Sequence, residues 1–492
     1  MDEFSLTVPS VANEFERAQL GDARRVRRLQ MVMQRLCANP RLGFPQALGT
    51  EAETEGFYRL LSARGVEYGS LVQAHADKTV ERMTHGATVL VIHDTTEFKF
   101  PGESASREGL GRTNAKSMQG FFAHASLAMS DTGEPLGALA LHAWARTGPG
   151  RGNRKLTGKT LSQIKDRESE RWWNQIERCE SSVGQRVKLL HVADREADAY
   201  PLLTALRKAG HGFVIRLAQD RRAVRVDEND DGDELELATR ISELLHELPK
   251  VVEREVEVAA RPARMLTRKL KTKDARVKRI ARLAVRSGRV ALKRPRYCEG
   301  LPETIEANIV FVEELETPVG EVPISWVLLT SESVATAEEA EAIIDHYRAR
   351  WTIEEFFKAL KTGCAFEERQ LESFGTLTNA LALVVPIAWQ MLLLRWKSRE
   401  NAEAPADTVL DQVEIAVLQH FQPQKMPKNN PTVLHALYAV AGLGGHLKNN
   451  GRPGWLTLSR GFETLTIRVA AWRAALESVN THRPTTPRSR QA

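Results

Sequence analysis

Apolar positions in this chain recur first at near-helical spacing, then in short alternating or continuous runs, then at helical spacing again. After Asp22, a candidate N-cap, Val26, Leu29, Met33 and Leu36 predict a helix that Pro40 stops. Phe57, Leu60 and Leu61 mark a second helix, so residues 1 to about 75 read as helical. From about 85 to 216 the pattern changes to mixed α/β. Strands are predicted over 88–92, 121–129, 136–144, 187–192 and 213–216, with Asp131-Thr132-Gly133 turning the second into the third. Helices are predicted over 161–179 and 197–209, the latter ended by Gly210. An acidic run, 227–236, reads as a solvated loop, and 251–258, 282–285 and 289–292 alternate like strands. Further strands follow over 308–313 and 324–330, then a long helix over 337–362. Beyond Phe374 the pattern is helical to about residue 476, and 482–492 reads as a disordered tail.

A chain of 492 residues exceeds one simple core, so about two to four domains are expected. Apolar residues make up 42% and charged residues 27%, the balance of a globular protein. The formal net charge of +6 suits a polyanionic partner. It is concentrated over residues 261–296, where 15 lysines and arginines face one acid, Asp274. Such a run reads either as a solvated surface or as one that tracks phosphates. Cys37, Cys179, Cys298 and Cys364 form no C-x-x-C pair, which argues against zinc or redox motifs and for reduced cytosolic thiols. The apolar run 381–394 is too short for a membrane span and is interrupted by Pro386 and Gln390, so it reads as a core helix. The start Met-Asp-Glu-Phe-Ser lacks the pattern of a signal peptide.

Three carboxylates stand out against this background. Asp94 and Asp194 each close an apolar strand-like run, and Glu354 lies in the helix predicted over 337–362. Ionised carboxylates at the ends of buried strands are costly unless paired or metal-bound, and two aspartates with a glutamate can chelate a pair of Mg²⁺ ions. Tyr347, Glu354 and Lys361 are spaced by seven and Arg350 precedes Glu354 by four, so all four share a helical stripe. That stripe can bind metal and grip phosphate at once. Other readings stay open at this level. Asp94 could cap a turn, Asp194 could cap the next helix, Asp198 is a second candidate, Glu355 rivals Glu354, and Trp326 could be a core residue.

These segments carry a family resemblance. Ile92-His93-Asp94-Thr95-Thr96, Asp194-Arg195-Glu196-Ala197-Asp198 and the run from Tyr347 to Gly363 resemble the DDE transposases of bacterial insertion sequences, in the IS-four class and closest to the Tn-five type. The last segment fits that class's signature, Y-x-x-R-x-x-x-E-x-x-x-x-x-x-K. Ser325 to Glu332, Leu20 to Arg25 and Leu443-Gly444-Gly445 are similar as well. The resemblance implies a cut-and-paste enzyme that nicks transposon ends, forms and resolves a hairpin and joins the ends to target DNA. Asp94, Asp194 and Glu354 would bind two Mg²⁺ ions, with Mn²⁺ as substitute. Tyr347, Arg350 and Lys361 would grip end phosphates, Trp326 would stack a flipped base, and Arg216 would contact DNA. Arg24, Arg25, Arg27 and Arg28 would belong to an end-binding module. The partners implied are double-stranded DNA and a second copy of the chain, in a bacterial cytosol with no membrane.

The fold expected is α/β, a ribonuclease H-like catalytic core with a β-rich insertion, flanked by helical N- and C-terminal domains. Its boundaries would be 1–75 for DNA-end binding, 76–218 for the first part of the core and 219–305 for the basic insertion. Residues 306–372 would hold the second part with the glutamate helix, and 373–492 a dimerisation domain. The competing functions are a transposase-derived DNA-binding repressor without catalysis and a hydrolase such as a glycosidase that uses paired carboxylates.

Overall fold

The computed structural model describes residues 11–38, 40–101, 107–114, 118–146, 168–226, 238–260, 264–266, 271–273, 276–447 and 451–481. The start of the helix predicted over 161–179, the acidic run 227–236, parts of the basic run and the tail 482–492 lie outside the described residues.

In chain order the elements are α1 (Ala23–Ala38), α2 (Phe44–Leu48), α3 (Glu51–Ser62), α4 (Tyr68–Glu81), β1 (Thr88–Phe100), β2 (Gly111–Arg112), β3 (Gln119–Met129) and β4 (Pro135–Trp144). Then come α5 (Glu168–Val183), β5 (Lys188–Ala193), α6 (Tyr200–Ala209), β6 (Gly212–Arg216), β7 (Arg222–Arg225), β8 (Thr239–Arg240), α7 (Ile241–Leu244) and β9 (Lys250–Val258). After these lie β10 (Arg264–Leu266), β11 (Lys271–Lys273), β12 (Arg279–Lys293), β13 (Thr304–Glu314) and β14 (Ser325–Thr330). Helices α8 (Ala337–Ala349), α9 (Trp351–Lys358), α10 (Phe374–Glu400), α11 (Gln412–Phe421), α12 (Val433–Leu443) and α13 (Trp455–Thr481) complete the chain. They fall into two compact units, one of residues 1–83, 95–150 and 352–492, the other of 84–94 and 151–351.

The first unit is mainly helical. Asp22 caps α1 as expected, its Oδ1 accepting from the Arg24 amide at 2.8 Å. Leu29, Val32, Met33 and Leu36 are its buried stripe. Helix α10 runs 27 residues straight through Pro386, which the sequence pattern had marked as an interruption. Burial on nearly every side holds it together, and Trp389 donates to the Pro135 carbonyl of β4 at 2.8 Å. By length and composition α10 could cross a membrane, but 94% of its apolar window is buried inside the protein. Residues 95–100 of β1 belong to this unit. There Gly120 of β3 lies against the Phe98 carbonyl so closely that a Cβ would sit 1.9 Å from it. Phe98, Phe100, Phe121, Phe366 and Phe374 form the aromatic core beneath.

The second unit is built on one mixed sheet. The 88–93 stretch of β1 pairs in parallel with β5, and β5 pairs in parallel with β6. Strands β14, β13, β12 and β7 continue from β6, all antiparallel, with β9 also on β12. Apart from β10 and β11, which pair with each other in a small sheet of their own, the described strands that follow β6 in sequence widen one sheet. Helices α5, α6 and α7 close a core of Trp172, Tyr200, Leu206, Phe213, Ile241 and their neighbours. Gly210 ends α6 at φ 73°, a left-handed C-cap that glycine takes at no steric cost.

Three expectations about elements are corrected. The strand expected to stop near Asp94 runs on to Phe100, because Thr96, Phe98 and Phe100 keep the alternation of buried positions. The strands expected over 282–285 and 289–292 are one strand, β12, in unbroken register with β13. The helix expected over 337–362 is broken at Arg350, and after α9 it widens into a π-turn at Ala359–Gly363, where the Cys364 amide donates to the Ala359 carbonyl at 2.8 Å. Tyr347 thus lies in α8, Glu354 in α9 and Lys361 in the π-turn.

Candidate active site

Parallel register sets the two aspartates. His93 is opposite Ala193, the last paired step, so Asp94, still in β1, and Asp194, the first residue after β5, both follow directly from it. Paired strands are spaced by about 5 Å, so the two carboxylates start from neighbouring chain positions. Both are half-buried. Two like charges this close call for cations, and Arg350 supplies one, its Nη1 lying 3.1 Å from Asp94 Oδ2. Asp194 also caps the turn Arg195–Ala197, its Oδ1 accepting from the Glu196 amide at 2.8 Å. The capping reading of Asp194 thus holds, and it involves only one of the two carboxylate oxygens.

The rivals are committed elsewhere. Asp198 is fully buried. It takes the amides of Ala218 and Gln219 at 2.6 and 2.8 Å and an ion pair from Arg221, whose second guanidinium nitrogen donates to the Asp198 carbonyl. Glu355 accepts from Trp455 Nε1 at 3.0 Å and pairs with Lys358 at 2.7 Å and Arg395 at 3.7 Å. Those cations hold its carboxyl below the usual range against the opposing pull of burial. Glu354 lies in the first turn of α9 and is half-buried.

The aromatic and cationic candidates gather in part. Trp326 is half-buried on β14, its ring 5.4 Å from Tyr347 in a T-shaped contact and 5.9 Å from the Arg216 guanidinium. Arg216 also donates to the Ser325 carbonyl at 3.1 Å, and Tyr347 is buried. Lys361 in the π-turn donates to the Glu97 carbonyl at 2.7 Å and lies over the Phe98 ring. Burial pulls its ammonium below the usual lysine range. At the N-terminus Arg24, Arg27 and Arg28 are exposed, whereas Arg25 spends its guanidinium on the carbonyls of Leu20 and Arg64.

Five cations of the basic run are answered by acids. Arg279 is buried against Glu314 and Glu321, Arg282 and Lys278 face Glu253 and Glu257, and Arg286 and Arg289 face Glu313 and Glu306. The acids come from β9, β13 and the segment after β13, next to β12 in the sheet but distant in sequence. Cross-strand pairing thus offsets charges that look unopposed in one dimension.

Sequence reasoning passed over two histidines in the segments it singled out. His93 and His191 are buried and in contact, which only the β1–β5 register reveals.

Two family models match the chain. Residues 10–66 match transposase DNA-binding, and residues 85–389, well over half the chain, match the transposase DDE domain. The chain belongs to the DDE transposases. The transposase is therefore a DNA-binding, metal-dependent enzyme of DNA cleavage and recombination. Among the described residues no three His, Cys, Asp or Glu side chains form a ready-made metal cluster. The donors themselves suit the chemistry: adjacent carboxylate oxygens are what a hard divalent cation takes.

Proposed function

We propose that this transposase is a cut-and-paste enzyme of the IS-four class, with Asp94, Asp194 and Glu354 as its metal-binding carboxylates. The observation that carries the reading is that Asp94 and Asp194 directly follow the last paired step of two parallel strands within a chain of the DDE family. The commitment of Asp198 and Glu355 to structural bonds favours Asp194 and Glu354 over them. An antiparallel β3–β4 pair, followed by β5 and β6 parallel to β1, supports a ribonuclease H-like core.

Two bound Mg²⁺ or Mn²⁺ ions would supply Lewis acidity to the attacking water or 3′-hydroxyl and to the leaving oxygen of an in-line displacement. Asp94, Asp194 and Glu354 would hold them. Arg350 keeps Asp94 in place and carries a guanidinium suited to phosphate oxygens. Trp326, braced by Tyr347 and Arg216, offers a partly open aromatic face for an unstacked base during hairpin formation. Lys361, held at the Glu97 carbonyl, would exchange that partner for a phosphate. Arg24, Arg27 and Arg28 would contact the transposon end, with Arg25 bracing their helix. Cleavage in trans would require a homodimer, with the C-terminal helices as its contacts.

The test is a linear DNA bearing the element's own ends, incubated with Mg²⁺ or Mn²⁺ and with EDTA, for wild type and Glu354→Gln. Metal-dependent release of flanking DNA with a hairpin on the transposon end, lost in the variant, is expected. Specific binding without cleavage in either protein would point instead to a DNA-binding repressor.

A further inference from the structure

Strand alternation places His93 and His191 on the sheet face opposite Asp94 and Asp194, since odd separations of one and three residues divide them. Both rings are buried, at 0% and 1% exposure. Nε2 of His93 lies 2.8 Å from Nδ1 of His191, and Nε2 of His191 lies 3.0 Å from Oε1 of Glu180 on α5. Glu180 is itself 3.3 Å from Nδ1 of His211, whose Nε2 is 2.9 Å from Glu177. The rings of Trp172 and Trp173 flank His93 and His211.

The chain has a direction. A carboxylate only accepts, so His191 presents its N–H to Glu180 from Nε2 and a lone pair at Nδ1, to which His93 donates. Burial pulls His191 below the usual histidine range, with Glu180 opposing in part, which keeps the ring neutral. An apolar pair would fill the same space at lower cost, since buried polar groups give up their hydration. What the polar pair adds is a fixed geometry between β1 and β5, at the step before both acids.

We propose that His93, His191 and Glu180 are positioning residues, a directional hydrogen-bond chain that fixes the spacing of Asp94 and Asp194 for divalent-metal binding. This rests on the assignment of those two aspartates as ligands.

The test is Mn²⁺ binding by the full chain, read from the free-ion electron paramagnetic resonance signal, beside the Mg²⁺ concentration for half-maximal cleavage. In the double variant His93→Leu/His191→Leu both rings become apolar together, and Glu180, partly exposed, keeps His211 as its partner. The expected result is an unchanged melting temperature and end binding, with Mn²⁺ affinity and Mg²⁺ half-saturation each weakened about tenfold. Unchanged metal binding in that folded variant overturns the proposal. Should the double variant fail to fold, Glu180→Gln, at a partly exposed position, is expected to weaken Mn²⁺ binding about threefold by replacing an acceptor-only carboxylate with an amide that can also donate and so no longer sets the direction of the chain. No change there overturns the proposal equally. Asp94→Ala and Asp194→Ala separate the two levels. If they also leave Mn²⁺ binding intact, the ligand assignment fails; if they abolish it while the histidine variants do not, only the positioning chain fails.

Discussion

Asp194 and Asp198 stand four residues apart and should respond in opposite ways to the same isosteric change. Asp198 and Arg221 are buried at 0% and 4% side-chain exposure, and the carboxylate also holds the Ala218 and Gln219 amides that follow β6. In Asp198→Asn the remaining carbonyl oxygen can keep the amides, but an NH₂ then faces the Arg221 guanidinium. Leaving one charge of a buried pair uncompensated costs about 3–5 kcal/mol, and the retained acceptor argues for the low end. At roughly 2–4 °C per kcal/mol, the melting temperature should fall by about 6–12 °C. If the opening is local, the amides of Ala218 and Gln219 should exchange about a hundredfold faster. Asp194→Asn should do the reverse. Asparagine caps a turn about as well as aspartate, so stability should change by less than about 1 kcal/mol while metal-dependent cleavage is lost. Thermal unfolding, hydrogen exchange and the cleavage assay report the three quantities. An Asp198→Asn protein that melts within a degree of wild type, or an Asp194→Asn protein that still cleaves, would refute the division of roles.

Glu354 and Glu355 form a second contrasting pair. Glu355→Ala loses a charged hydrogen bond from Trp455 and the pairs with Lys358 and Arg395, so it should cost about 2 kcal/mol by denaturant unfolding and lower cleavage without abolishing it, whereas Glu354→Gln should abolish cleavage with little loss of stability. Glu414 is pushed up to about 7 by burial and by the neighbouring Asp411. Because its folded value is raised, its protonation stabilises the fold below about pH 4.5, and that contribution, at most about 3 kcal/mol, is lost as pH rises through 7. Glu414→Gln keeps a capping-box acceptor and should flatten the melting temperature between pH 5 and 8; an unchanged slope would contradict this. Arg282→Ala and Arg289→Ala should leave the salt dependence of DNA binding within experimental error, since both side chains face glutamates; a slope lower by about one per variant would restore them as phosphate contacts.

Much of the architecture was legible in the chain. The N-cap at Asp22, the strands on either side of Asp131-Thr132-Gly133 and the end of α6 at Gly210 all follow from local spacing and turn chemistry. What local pattern could not show depends on partners far away in sequence. Pro386 does not break α10 because tertiary burial outweighs the local penalty. The π-turn at Ala359–Gly363 leaves no periodic signature that separates it from a helix. The charge of β12 is answered by acids on β9 and β13, and no one-dimensional count weighs those against it. At the site, residue types and order pointed to Asp94, Asp194 and Glu354. The reasons to prefer them over Asp198 and Glu355 lie in hydrogen bonds from Gln219 and Trp455, which only the folded chain brings into reach.

Helix α13 clamps the segment that carries Glu354 at both ends. Trp455 reaches Glu355, and Ser459 donates to the Gly363 carbonyl at the close of the π-turn. The C-terminal region is therefore a splint for a catalytic candidate as well as a surface on which copies could meet. A chain cut short before Trp455 would lose that splint even if it never needed a second subunit. Loss of cleavage on truncation would then say nothing by itself about assembly. A single change, Trp455→Phe, which keeps the packing and removes the indole donor, isolates the mechanical contribution from the oligomeric one.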